Sequence, residues 1–332
     1  MDIDKLKTEY SQCHHKYEKL KDEIKFILEE ELKAAKIPCH LIEGRIKTIE
    51  SVIDKIKRIY PEKQDLKLDD IVDICGVRVI CLFLSDVEKI GKIIEEKFKI
   101  ERIDDKILSQ PQEEFGYMSV HYIGSLPSDF SGPRYNQIKD LRFEIQVRTI
   151  AMHSWATISH YLDYKSPHAI PSHLRKDFYG LSAIFYLADS HFELFFRNIE
   201  RAKKAIETKA SSKIGLQQEE INFNTLVEYL KQNYPDRRHF GDEYPQDISD
   251  LVEELVKAGY KTISDLDKDL KRSWEAFVKY EEKYPPANEV GEPCNYADIG
   301  IVRASLRIAN PKMANTRSDF PEYKEFRKFL RP

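Results

Sequence analysis

From Ile3 to about Ala35 apolar residues recur at helical spacing among Lys and Glu, with no Gly or Pro, which predicts one long helix ended by Pro38. A second helix is predicted from about Lys47 to Tyr60, stopped by Pro61. The run Gly76–Leu84 (GVRVICLFL) is β-branched and apolar apart from Arg78, so it reads as a strand covered on both faces. Ser85 and Asp86 then offer an N-cap to a helix over 87–98. Extended segments are predicted near 99–108, 118–124 and 141–148, and a long helical stretch over 149–210 is interrupted around Ser166-Pro167 and Pro171. The first 210 residues are therefore α+β, helices packed on a mixed sheet of at least four strands. Small and polar residues from Ser211 to Gln218 mark a boundary. Beyond it 225–232, 247–258, 262–281 and 298–309 have helical spacing, separated by loops rich in Pro, Gly and Asn. The predicted organisation is a domain over 1–210 and a mostly helical second domain over 211–332, the latter without a chemical motif.

Composition narrows the function classes. The 332 residues carry a formal net charge of −4, so no global positive field draws the chain to nucleic acid and any phosphate site must be local. No stretch approaches the ~18 uninterrupted apolar residues of a membrane span, and the start Met1-Asp2-Ile3-Asp4 has no leader character, so a cytoplasmic protein with no membrane partner is expected. The five cysteines form no CxxC pair, and neither HExxH nor a His-Asp dipeptide occurs. Cys75 and Cys81 lie in the apolar strand run, where Cys serves as a small hydrophobe.

Candidate chemistry is concentrated between 45 and 153. On the helix after Gly44, Lys47, Ser51, Lys55 and Arg58 fall within a sector of about 80°, opposite Ile49, Val52, Ile53, Ile56 and Ile59, with Arg45 ahead of the stripe. Such a face is either solvated surface or a polyphosphate cradle. Asp73 stands at the mouth of the apolar strand and Arg78 is its single charge. Together they are a structural ion pair, or a magnesium ligand and a guanidinium able to stack on a base. In Leu141–Arg148 the polar residues Arg142, Glu144, Gln146 and Arg148 share one face. Tyr117, Ser119 and His121 share another, and a sheet surface bearing these groups makes a plausible nucleotide floor. His153 and His160 lie on one side of the following helix with Met152 and Trp155 nearby, a face read as core rather than catalytic.

The order Arg45-x-Lys47-x-x-x-Ser51-x-x-x-Lys55, Asp73-x-x-Gly76-x-Arg78, Gly116-Tyr117-x-Ser119-x-His121, Glu144-x-Gln146-x-Arg148 and Met152-His153 resembles the synthetase domain of RelA/SpoT-type alarmone synthetases over roughly residues 20–205. The resemblance implies a nucleotidyltransferase-like fold and a small, synthetase-only pyrophosphokinase that moves the β,γ-diphosphate of ATP to a ribose 3′-hydroxyl. On that reading Arg45 and Arg78 sandwich the adenine, and Lys47, Ser51, Lys55 and Arg58 hold the phosphates. Asp73 and Glu144 bind Mg2+, Glu144 doubles as the base, and Tyr117, Ser119, His121, Gln146 and Arg148 bind the acceptor. The expected acceptor is GDP or GTP, giving (p)ppGpp. The alternatives are the 3′-terminal adenosine of tRNA, as in translation-blocking toxins, and a catalytically silent binding module, against which the intact Asp73 and Glu144 speak. An activator or antitoxin acting through 211–332 is a possible partner. One departure stands out: where the family has Lys-Asp-Tyr-Ile, Pro-Lys and Asn before Gly-Tyr, this chain has Asp104-Asp105-Lys106-Ile107, Pro111-Gln112 and Phe115.

Overall fold

The structure is a computed structural model that describes residues 3–59, 68–107, 119–163, 170–210, 215–239, 245–288, 290–314 and 321–332. It divides into two compact units, Met1–Arg197 and Asn198–Pro332. No helix among the described residues is long and apolar enough to cross a membrane.

Unit 1 runs α1 (Ile3–Ala34), β1 (Cys39–Ile46), α2 (Ile49–Ile59), β2 (Cys75–Cys81), α3 (Leu84–Lys97), β3 (Lys99–Asp105), β4 (Val120–Ser125), β5 (Phe143–Thr149) and α4 (Ile150–Asp163). The helix α5 (Ser172–Ala210) carries the chain across the division between the units. The five strands form one mixed sheet in the order β1-β2-β5-β4-β3, with β2 and β5 parallel and the other pairs antiparallel. On one face Val77, Val79, Ile145 and Val147 join Leu20, Ile24 and Leu28 of α1 and Ile90 and Ile94 of α3 in a continuous core. Each such side chain contributes about 1.5–3 kcal/mol by leaving water.

Four sequence expectations are corrected, the last at the start of α3. The strand β1 was not expected: Cys39–Ile46 alternates weakly and carries His40, Glu43 and Arg45, because it is an edge strand with only one neighbour, β2. Arg45 therefore lies in a strand, not at a helix mouth. The second helix starts at Ile49, so Lys47 sits in the β1–α2 junction. There its N–H donates to Ile74 O (2.8 Å) and its carbonyl accepts from Tyr10 Oη (2.8 Å). Thr48 Oγ1 accepts from the Ser51 N–H (3.4 Å) and closes the first turn of α2. Nor is β2 covered on both faces throughout, since Gly76 and Arg78 open onto a cavity.

The start of α3 is likewise not capped from within. Its N-cap is Phe83, without a side-chain bond, and the Ser85 N–H donates instead to Glu193 Oε2 of α5 (3.0 Å). One turn earlier, Asp189 accepts from Thr149 Oγ1 (2.5 Å), which itself accepts from the Met152 N–H (3.1 Å) and so caps α4. Two buried carboxylates of α5 thus hold the C-terminal ends of the parallel strand pair. Burial pushes the Asp189 carboxyl up to about 6; the Thr149 hydroxyl pulls it back and Glu193 pushes it further up.

Unit 2 contains α6 (Phe223–Asn233), α7 (Pro245–Ala258), α8 (Ile263–Lys283) and α9 (Asp298–Ala309) around its own apolar core. Reciprocal capping boxes start α6 (Asn222/Thr225) and α8 (Thr262/Asp265).

Because the folded pKa of Asp189 lies above its unfolded value near 3.9, the contribution is fully favourable only at low pH and is lost as pH rises through about 6. Above that the buried carboxylate costs about 3 kcal/mol. Asp189→Asn keeps an acceptor for Thr149 and removes the charge. Urea unfolding should show the variant more stable at pH 7.5, with the gain reduced to about a third at pH 4.5 and gone near pH 3. An equal effect at both pH values would contradict the assignment.

Candidate active site

Pairing register assembles the site. Across the sheet one row reads Glu43 (β1), Arg78 (β2), Gln146 (β5), His121 (β4) and Asp104 (β3). The next row reads Arg45, Gly76, Glu144 and Ile123. Paired residues send their side chains to the same face, so these rows build one polar surface on the side away from the α1–α3 core. The amphipathic α2 closes one flank: Val52, Ile53 and Ile56 are buried, which turns Ser51, Lys55 and Arg58 toward the surface.

The half-open cavity, about 610 Å³, gathers Arg45, Lys47, Ser51, Lys55, Arg58, Asp73, Arg78, Glu144 and Gln146, nine of the thirteen site residues expected from sequence. Ser119, His121 and Arg148 join it through hydrogen bonds rather than by lining it. Tyr117, with Gly116 and the 111–115 segment, lies outside the described residues. The cavity also includes Glu43, Asp54, Gly76 and His160, which sequence reasoning had not placed there. Gly76 had a signal in its position two before Arg78; Glu43 had none while β1 went unrecognised.

Asp73 is the anchor of the basic wall. Its Oδ2 accepts from Lys47 Nζ (2.5 Å) and Lys55 Nζ (2.7 Å), while Oδ1 is buried and has no hydrogen-bond partner. Burial raises the Asp73 carboxyl, but the two lysines outweigh it and hold the group below its ordinary value. Its pairing is thus with Lys47 and Lys55; Arg78 instead meets Glu43, with Nη1 3.4 Å from Oε2.

A hydrogen-bonded chain crosses the neighbouring strands. Ser119 Oγ lies 2.7 Å from His121 Nε2, and His121 Nδ1 lies 2.9 Å from Glu144 Oε1. Gln146 Nε2 donates to Glu144 Oε2 (2.6 Å), and Arg148 donates to Gln146 Oε1. Burial pushes the Glu144 carboxyl up, yet hydrogen bonds from His121 and Gln146 bring it below its usual value, against the opposing charge of Asp73. On α4, Met152 and Trp155 are buried, with Trp155 packed on Phe178 and Phe185, but the histidine face is not core as expected: His153 is half-buried and His160 is exposed at the cavity. Burial, with Arg148 and Arg78, lowers the His153 imidazole, which favours its neutral form.

The residues suit a divalent cation of the Mg2+ kind. Among the described residues no three His, Cys, Asp or Glu side chains could enclose a metal. Mg2+ is commonly held by one or two carboxylates with phosphate and water completing the shell. Asp73 Oδ1, buried and without a hydrogen-bond partner among the described residues, is a carboxylate oxygen of the type such a cation takes. Five Arg and Lys side chains against four carboxylates around the cavity leave too little positive charge for a bare triphosphate. Unit 2 has a larger cavity, about 700 Å³, but its Arg303 is bound bidentately by Glu254 and it holds no comparable carboxylate pair among the described residues.

Comparison with known proteins agrees with the geometry. Residues 44–169 match the family described as a region found in RelA / SpoT proteins. The GTP pyrophosphokinase YwaC of Bacillus subtilis (strain 168) is 31% identical over 155 residues, 46% of this chain and 71% of the relative. The GTP pyrophosphokinase YjbM of the same organism is 26% identical over 173 residues, 52% of this chain and 79% of the relative. A solved GTP pyrophosphokinase family protein from Streptococcus pneumoniae superposes with a TM-score of 0.51 at 28% identity, covering 58% of this chain and 96% of that one. The chain belongs to the RelA/SpoT family and is a pyrophosphokinase of the small synthetase type.

Gly76 gives the cavity a direct test. A Cβ there would meet only Arg45 O, at 3.7 Å, so a larger side chain fits the strand and projects into the cavity. Gly76→Val should leave the thermal midpoint unchanged or raised, since Val favours strands. Calorimetric affinity for the donor nucleotide should drop about tenfold or more by overpacking. Unchanged affinity would remove the cavity from the reaction.

Proposed function

We propose that the protein transfers the β,γ-diphosphate of ATP to the ribose 3′-hydroxyl of GDP or GTP, releasing AMP and forming (p)ppGpp. GTP is the substrate named for both Bacillus relatives. The observation that carries the reading is the convergence of Lys47 and Lys55 on Asp73, whose second oxygen stays open in a cavity shared with Glu144.

In the proposed reaction Arg45 and Arg78 flank the adenine, and Lys47, Ser51, Lys55 and Arg58 hold the phosphates. The acceptor lies over the β4–β5 face, against Ser119, His121, Gln146 and Arg148, with Tyr117 stacked on its base. The 3′-oxygen attacks the β-phosphorus in line, the bond from that phosphorus to the oxygen bridging to the α-phosphate breaks, and AMP leaves with that electron pair. Glu144 receives the hydroxyl proton, held in place by His121 and Gln146. Mg2+ would be held by Asp73 and Glu144 and would neutralise charge on the transferring phosphates. Asp73 is the better prepared ligand, because both oxygens of Glu144 already accept hydrogen bonds.

One observation favours a second acceptor. Asp104 stands opposite His121 in the register, where the family carries Lys, although Arg102 balances part of its charge at 2.8 Å. An acceptor with less phosphate charge, such as the 3′-terminal adenosine of tRNA, would suffer less from it.

The test follows label from β-labelled ATP into GDP, GTP and deacylated tRNA at equal concentration. The expected product is labelled ppGpp or pppGpp; efficient tRNA labelling without either would move the assignment to tRNA. Asp73→Asn and Glu144→Gln should each lower transfer by a factor of about 100 or more with the circular dichroism spectrum intact. Near-normal turnover in either variant would refute the site.

A further inference from the structure

We propose that Glu43 is a specificity-determining residue of the donor site, its carboxylate accepting a hydrogen bond from the 6-amino group of the donor base. The inference rests on the reading that ATP occupies the cavity with its base between Arg45 and Arg78.

Glu43 lies on β1 two residues before Arg45, so both side chains leave the same face of the strand, and both line the 610 Å³ cavity. Across the β1–β2 ladder it stands directly opposite Arg78. One carboxylate oxygen, Oε2, is 3.4 Å from Arg78 Nη1; Oε1 makes no hydrogen bond among the described residues. The Glu43 side chain is 50% exposed and that of Arg78 36%, so neither is committed to a buried pair.

A contact at the Nη1 edge leaves the flat face of the guanidinium free for a base. A purine lying on that face presents its rim to β1, where Glu43, opposite Arg78 in the ladder, offers its carboxylate. An ionised carboxylate only accepts. Adenine carries an amino donor at position 6, whereas hypoxanthine and guanine carry a keto oxygen there, which the carboxylate repels. The same residue thus admits adenine and rejects a 6-keto base at the donor site, while a 6-keto purine remains free to occupy the acceptor site. A transferase that takes two purine nucleotides needs such a distinction, and electrostatic mismatch is an effective way to supply it.

The test compares kcat/KM for ATP, purine riboside 5′-triphosphate (hydrogen at position 6) and inosine triphosphate in the unmodified protein, Glu43→Ala and Glu43→Gln. A site built to bond a donor group rejects the analogue lacking it. The unmodified protein should therefore prefer ATP to purine riboside triphosphate about tenfold or more, and to inosine triphosphate by a wider margin. In Glu43→Ala both ratios should fall toward one. In Glu43→Gln, whose amide can also donate, inosine triphosphate should gain relative to ATP. Ratios unchanged in both variants, or no discrimination in the unmodified protein, would overturn the inference and leave Glu43 as a prop for Arg78. Failure of the underlying reading looks different: Arg45→Ala and Lys55→Ala would then leave the KM for ATP unaltered.

Discussion

The register between the parallel strands β2 and β5 is the constraint on which the site depends. It sets Gly76 beside Glu144 and Arg78 beside Gln146, and it keeps Val77, Val79, Ile145 and Val147 in the core on the other face. Because side chains alternate, a slip of one residue would bury Arg78, Glu144 and Gln146 and expose the valines. Burying charges without partners costs several kcal/mol each, so the same alternation that fills the core fixes the chemistry. The antiparallel neighbours β1 and β4 then add Glu43, Arg45 and His121 at positions dictated by that register.

A second constraint is electrostatic. Asp73 is mostly withdrawn from water at the mouth of β2 and is tolerable there as an anion because two lysines from different elements reach it. Lys47 is held by its own backbone, pinned to Ile74 and Tyr10, and Lys55 by the buried apolar side of α2. The cations that would meet phosphate are thus positioned before any nucleotide arrives, which limits the ordering cost of binding. The carboxylates of α5 act at the opposite ends of the strands: Asp189 and Glu193 secure the starts of α4 and α3 and do not line the cavity.

Much of this was legible in the sequence because periodicity speaks where burial is one-sided. The α2 stripe and the β5 alternation have clear apolar and polar faces, and Ser51, Lys55, Glu144 and Gln146 were found through them. The edge strand β1 was not legible, since its exposed side makes Cys39–Ile46 look like a polar connection. Arg45 was recognised by its spacing and given the wrong element, and Glu43 was missed altogether. The cap of α3 was misread because its partner, Glu193, is more than a hundred residues away, beyond the reach of any local pattern. The division into compact units falls between Arg197 and Asn198, inside α5, where the helical spacing is continuous.

The central claim is that one cavity receives the donor through a preset basic wall and an open Asp73 oxygen. A crystal structure with a non-hydrolysable ATP analogue and Mg2+ tests it most directly. The account predicts the triphosphate against Lys47, Lys55 and Arg58, the adenine between Arg45 and Arg78, and Asp73 Oδ1 turned to the metal. Nucleotide bound elsewhere, for instance in the cavity of unit 2, with both lysines still closed on Asp73, would contradict it.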